Sequence, residues 1–180
     1  MRLIGIALMA AALTGVGFVL AERGKERLAL LRQLRQMIHY MKSQILYSNA
    51  TLPEAVFEVG NHWKGSERES ENGWELADFF LNVGKRLNEK GNQTFSAIWQ
   101  AEAENIPTDI PMTQGDREAL GMLGNTLGYA DRQMQERSLL FYLEQLDETM
   151  EGMKAEAEHL GKLYRTLGTA AGMFWFVLLI

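Results

Sequence analysis

Leu139, Leu143, Leu146, Met150, Met153, Ala157, Leu160, Tyr164 and Leu167 follow one another at alternating steps of four and three residues. That spacing lines apolar side chains along one stripe of an α-helix. Held without a break, it predicts a helix of roughly 36 residues, about 54 Å long, starting near Asp131. So long a stripe must be covered. Leu31, Leu34, Ile38, Met41 and Ile45 repeat the same steps and predict a second helix over residues 25–47. Two such stripes cover each other as an antiparallel pair, with shorter helices closing a bundle around them.

The shorter helices are marked by their ends. Thr51 and Glu54 have capping-box spacing, with Pro53 in the first turn of a helix reaching about His62. Residues 64–73 are charged and polar and read as a loop. Amphipathic segments follow over 74–90 and 94–104, separated by Gly91 and Asn92. Pro107 and Pro111 stiffen a connection, and Thr113 to Asp116 starts another helix that ends near Gly128. With three prolines in 180 residues and few β-branched runs, the fold class is all-α: an antiparallel bundle of about six helices.

Charge divides the chain into three parts. Leu3 to Ala21 and Leu167 to Ile180 carry no charged residue. At 1.5 Å per residue the first covers about 28 Å, close to the roughly 30 Å hydrocarbon core of a bilayer. The second is shorter, and Arg165 can snorkel to the headgroups to extend it. The expected organisation is an N-terminal transmembrane helix (1–21), a bundle domain (22–165) and a C-terminal transmembrane segment (166–180). Ala7, Ala11 and Gly15 form a small-residue stripe suited to close helix packing in the membrane. A secretory signal cleaved after Ala21 is the rival reading. Arg23, Lys25, Arg27, Arg32 and Arg35 follow the first apolar segment, and Lys162 and Arg165 precede the second. Such clusters favour anionic lipid and place the domain on the cytoplasmic side, with both termini outside. Between them, from Gln36 to His159, acidic residues outnumber basic ones roughly two to one, and the whole chain carries a net charge of −5. That argues against nucleic acid as a partner.

Catalytic chemistry finds little purchase. No cysteine is present, which excludes a thiolate metal site or nucleophile. Glu156 and His159 form a single Glu-x-x-His where a di-iron bundle needs two. Glu58 and His62 share a helical face but are too few for a metal, and His39 reads as an interface residue. The glycines from Gly121 to Gly128 lack the Gly-Lys-Ser/Thr of a phosphate loop and suit close helix packing. The expectation is a non-enzyme with no cofactor and no metal.

Several stretches together resemble the stage III sporulation protein AB family. They are the N-terminal Leu-Ile-Gly span, Leu46 to Ala55 (LYSNATLPEA), Leu123 to Gln135 (LGNTLGYADRQMQ) and Lys162 to Gly168 (KLYRTLG). The charged loop matches no motif of that family. The resemblance implies a component of the complex joining mother cell and forespore, in the mother-cell membrane. It also implies a soluble domain similar to the cytoplasmic helical domain of the type II secretion inner-membrane platform. Such a protein contacts a secretion-type ATPase and helps assemble or power a channel without hydrolysing ATP itself. The candidate partner surface comprises Thr51, Leu52, Pro53 and Glu54 with Leu127, Gly128, Asp131 and Gln135. Each also has a plain structural reading as cap, turn, helix stop or solvated residue. Homo-oligomerisation fits this architecture, as does, in place of the whole reading, an outward-facing or secreted helical sensor domain.

Overall fold

A computed structural model describes residues 22–64, 76–89, 92–128 and 131–159 with their side chains. Its helices are α1 (Arg2–Tyr47), α2 (Leu52–Lys64), α3 (Glu71–Asn88), α4 (Phe95–Glu104), α5 (Gln114–Tyr129) and α6 (Arg132–Leu179). The fold is all-α, a helical bundle. It divides into two compact units, residues 1–24 with 147–180, and residues 25–146. The two apolar termini, with Ala7, Ala11 and Gly15, lie outside the described residues, as do Leu160, Tyr164, Leu167 and most of the charged loop. Among the described residues no helix is long and apolar enough to cross a membrane.

Within residues 25–146, α1 buries all five members of its predicted stripe, and Leu30 and Met37 beside them. The two additions widen the stripe, so α1 meets more than one helix. Tyr40 stacks on His62 of α2 with ring centroids 4.5 Å apart, and Arg27 pairs with Asp116 of α5. Helix α3 is enclosed nearly all round. Its consecutive residues Phe79, Phe80 and Leu81 are all buried, and successive side chains on a helix point about 100° apart.

One side of α3 packs on α2. Gly60 of α2 faces Leu81, and Gly84 of α3 faces Phe57. One number rises as the other falls, so the two helices are antiparallel. The other side of α3 meets Trp99 of α4, whose ring lies 4.9 Å from that of Phe79 and 5.8 Å from that of Phe80. Trp99 in turn sits over Gly124 of α5, while Phe95 and Ser96 approach Gly128. This second hairpin, α4 with α5, is antiparallel too.

The stripe on α6 departs from its expected extent. Leu139, Leu143, Leu146 and Met150 are buried, Met153 is half-buried and Ala157 is exposed. Periodicity identifies the face a helix turns inward; it does not say how far along that face the cover extends.

Candidate interaction surface

The alternating helix directions gather the connections α1–α2, α3–α4 and α5–α6 at one end of the bundle. Four of the predicted residues, Thr51 to Glu54, open α2 there. The Thr51 N–H and hydroxyl both donate to Glu54 Oε2 at 2.8 Å, and the Thr51 carbonyl accepts the Ala55 N–H at 2.9 Å. These bonds hold the exposed Glu54 carboxyl below the usual carboxylate range, the backbone N–H being the larger cause. The Thr51 hydroxyl donates to the carboxylate here, whereas a capping box has it accept a backbone N–H. Leu52 and Pro53 are half-buried.

The other predicted residues close α5 and open α6. Asp131 Oδ1 accepts the Met134 N–H at 2.8 Å, and its carbonyl accepts the Gln135 N–H at 2.8 Å, so Asp131 is the N-cap of α6. Gln135 Nε2 reaches back to the Leu127 carbonyl at 3.3 Å. Gly128 is exposed on one side and closely approached on the other, where an added Cβ would stand 3.3 Å from Ser96 N. Leu127 requires a correction: its side chain is fully buried. Spaced four residues from Leu123, it belongs to the core, and only its carbonyl serves this end of the bundle.

Two residues absent from the sequence-based surface join the halves. Arg132 Nη1 donates to Asn49 Oδ1 at 2.7 Å, tying the start of α6 to the connection after α1. Asn49 adopts a left-handed backbone with φ 53°, and the Ala50 N–H returns to the Gln44 carbonyl at 3.2 Å. An asparagine just past a helical run is the signal that could have revealed this, since Asn tolerates that conformation better than most residues. Tyr47, 80% exposed, and Met134, 59% exposed, flank the bond in sequence. With the polar groups committed to helix ends, the exposed Tyr47 and Met134 and the half-buried Leu52 and Pro53 are the apolar side chains at these helix starts and ends. Such a surface is suited to recognising protein.

Toward the opposite end Arg27 binds Asp116 through two parallel bonds, Nε to Oδ2 at 2.8 Å and Nη2 to Oδ1 at 2.9 Å. Asp116 also accepts the Thr113 N–H and hydroxyl at 2.8 and 2.7 Å, which caps α5. Burial pushes the Asp116 carboxyl up, but the bonds from Arg27 and Thr113 outweigh it and hold the group below the usual carboxylate range. Nearby on α6, burial pushes the Tyr142 phenol far up, and the Asp116 charge adds to the rise. This cluster fixes α1 against α5 and presents no reactive group to solvent.

Glu58 does not share a site with His62, whose ring is stacked on Tyr40 and meets the edge of Trp63 at 4.8 Å. His39 is half-buried, and Glu156 and His159 are exposed. Among the described residues no three His, Asp or Glu side chains are grouped to hold a metal ion. A cleft of about 320 Å³ lies between α4 and α5, lined by Gln100, Glu104, Gln114, Glu118 and Gly121 among others. Arg117 at its edge is engaged by the carbonyls of Ile106 and Pro107.

Residues 2–180 match the family described as Stage III sporulation protein AB. A Bacillus subtilis (strain 168) protein of that name is 24% identical over 183 residues, covering 100% of this chain and 99% of its own length. No solved structure matches the chain.

Proposed function

This chain belongs to the stage III sporulation protein AB family, and on that premise we propose that it is a non-catalytic coupler in a membrane complex linking mother cell and forespore. Its role is in sporulation. In the proposed arrangement both apolar ends anchor it in the mother-cell membrane, the bundle faces the cytoplasm, and both termini lie outside. The basic clusters beside the two uncharged segments support this orientation. The bundle then receives a secretion-type ATPase, in the manner of a type II secretion platform domain, and passes that contact to the channel.

The observation that carries the coupling reading is the Arg132–Asn49 bond, which unites two segments 83 residues apart into one surface. A partner seated across that surface touches the α1–α2 and α5–α6 connections at once. Tyr47 and Met134 offer it apolar purchase beside the polar caps.

Co-purification of the full-length protein with a secretion-type ATPase tests the reading. Retention by the wild type, reduced at least about tenfold by Tyr47→Ala with Met134→Ala, is expected; centrally buried apolar anchors commonly account for at least that much. Equal retention by the folded double variant would remove this surface from the mechanism. Protease protection on spheroplasts tests the orientation separately. External digestion of the bundle would favour the outward-facing sensor instead.

A further inference from the structure

Helices α4 and α5 touch along one stretch and part along the next. Trp99 presses on Gly124, and Phe95 with Ser96 approaches Gly128, but an added Cβ at Gly121, one turn nearer the start of α5, would meet nothing within 4 Å. There the cleft of about 320 Å³ opens, lined by Gly121, Gln100, Glu104, Glu118 and Met122 among others. Glu104 and Glu118 are exposed, and Met122 is 65% exposed. Arg117, the cation at the edge, is held by two backbone carbonyls, while Gln114 Nε2 donates to Glu118 Oε1 at 3.0 Å. The cleft thus combines room for one long side chain, an apolar wall and two carboxylates at its mouth. Its complement is a cation on an aliphatic stem.

Such a side chain stands at the same height on α1. Helices α1 and α5 run in the same direction and are tied by the Arg27–Asp116 pair; Arg32 and Gly121 each lie five residues further on, about 7.5 Å. Arg32 is exposed, and neither it nor Glu104 forms an ion pair among the described residues. Five residues also turn a helix by about 140°, so Arg32 points away from the α5 that Arg27 holds. It does not serve the cleft of its own chain. Ala29 and Gln36 share its face, at i−3 and i+4, and both are exposed. With so small a residue beside Arg32, this face of α1 can lie close against another helix.

We propose that Arg32 of one copy of this chain docks between Glu104 and Glu118 in the α4–α5 cleft of a second copy, the two standing side by side. The docking rests on the reading that both ends of each copy are anchored in one membrane, because copies turned only about the membrane normal keep their residues at equal heights. Arg32 then meets a cleft at its own level, and all the apolar ends point the same way. The contact is heterologous: each copy gives its α1 face to one neighbour and its cleft to another, which builds a row or a closed ring. A solvent-accessible ionic contact is modest on its own. Confinement to one membrane plane supplies the high local concentration that lets it form.

The chain has no cysteine, so single thiols can be placed one turn from the proposed ion pairs, toward the α1–α2 connection, at Gln36 on α1 and Gln100 on α4, both exposed. Full-length Gln36→Cys and Gln100→Cys variants with different tags are co-expressed, and the membranes are treated with a short bis-maleimide. A mixed covalent dimer is expected from that pair and not from Gln36→Cys with Glu58→Cys, which is exposed on α2. Arg32→Glu in the Gln36→Cys copy, or Glu104→Arg with Glu118→Arg in the Gln100→Cys copy, should lower the yield about tenfold. Combining the two reversals across the copies restores opposite charges and should recover it. These positions are exposed, so circular dichroism should show the fold intact in every variant. Equal yields from the two thiol pairs, reversals without effect, or no recovery in combination would each overturn the proposal. Alkaline extraction of the same membranes reads the anchoring separately. Protein retained without the cross-link overturns the docking and leaves the shared membrane standing; protein released overturns the shared membrane and the docking with it. Capture of a different protein by the Gln100→Cys variant, with no mixed dimer, would assign the cleft to that protein and overturn the docking as well.

Discussion

The α2–α3 and α4–α5 hairpins both bring helices closer than ordinary side chains permit, but they divide the task differently. Between α2 and α3 the exchange is reciprocal: each helix contributes one glycine and one large apolar residue, Gly60 with Leu81 and Gly84 with Phe57. Between α4 and α5 it is one-sided. Helix α5 contributes Gly124 and Gly128, and α4 contributes Trp99, Phe95 and Ser96. The indole Nε1 then donates to the Leu120 carbonyl at 2.7 Å, and Ser96 Oγ is bonded to Asn125 Oδ1. A reciprocal contact spreads the fit over two sites. The one-sided contact concentrates it on a single ring that also touches α3.

Adding a methyl group at Gly124 should therefore do the most damage. Its Cβ would lie 2.2 Å from Trp99 Cδ1, 2.4 Å from Cγ and 2.8 Å from Cβ, the rigid root of a fully buried side chain. Gly124→Ala is expected to lose about 3 kcal/mol or more, at the upper end of ordinary overpacking. Thermal or urea unfolding measures it. Pairing the change with Trp99→Leu should cost less than the two single changes together, because the clash disappears with the ring.

At the reciprocal contact, Gly84→Ala places a Cβ 2.8 Å from Phe57 Cβ and 3.0 Å from its Cα. The helices must separate slightly, and alanine's better helix propensity returns about 1 kcal/mol. A net loss of about 1–2 kcal/mol follows. A loss equal to that of Gly124→Ala would erase the distinction between the hairpins.

Trp99→Phe removes the bond to Leu120 and keeps most of the ring. The expected loss is about 1 kcal/mol, with the apolar contacts to Phe79 and Phe80 surviving. A neutral result would mean that the α4–α5 contact is as purely apolar as its counterpart.

Helix positions were legible in the sequence because their causes are local. Thr94 caps α4 by accepting the Ala97 N–H at 3.3 Å, and Asp131 and the Thr113–Asp116 pair act over three residues in the same way. What each helix touches is not local. Arg27 and Asp116 are 89 residues apart, and nothing in either neighbourhood marks them as partners. Gly60 and Gly84 in isolation read as weak points of helices; only the residues opposite reveal them as contacts. At the end of the bundle that holds the α1–α2 and α5–α6 connections, the caps are legible and the bonds between segments are not. Thr51 with Glu54, and Asp131, act over three residues, whereas the Arg132–Asn49 bond spans 83; Leu127, spaced four residues from Leu123, is drawn into the core.

Acid offers a smaller probe of how α5 is held. The Asp116 carboxyl is depressed in the folded protein, so its contribution is present above the ordinary carboxylate value of about 4 and disappears as pH falls through the folded value. Asp116→Asn should lower Tm at pH 7 and lose most of that disadvantage below about pH 3. A Tm gap that stays constant across that range would mean that Arg27 and Thr113 do not hold the carboxylate in its charged form.

The finest test lies one turn from the largest. Gly121 is on the same helix as Gly124, yet an added Cβ there would meet nothing within 4 Å. With no contact to obstruct, only backbone entropy and helix propensity decide, and Gly121→Ala should stabilise the fold by about 0.5–1 kcal/mol. The two substitutions have identical chemistry and opposite expected signs, three residues apart. If Gly121→Ala also destabilised, α5 would be strained along its length, and the loss at Gly124 would no longer be assigned to Trp99 alone.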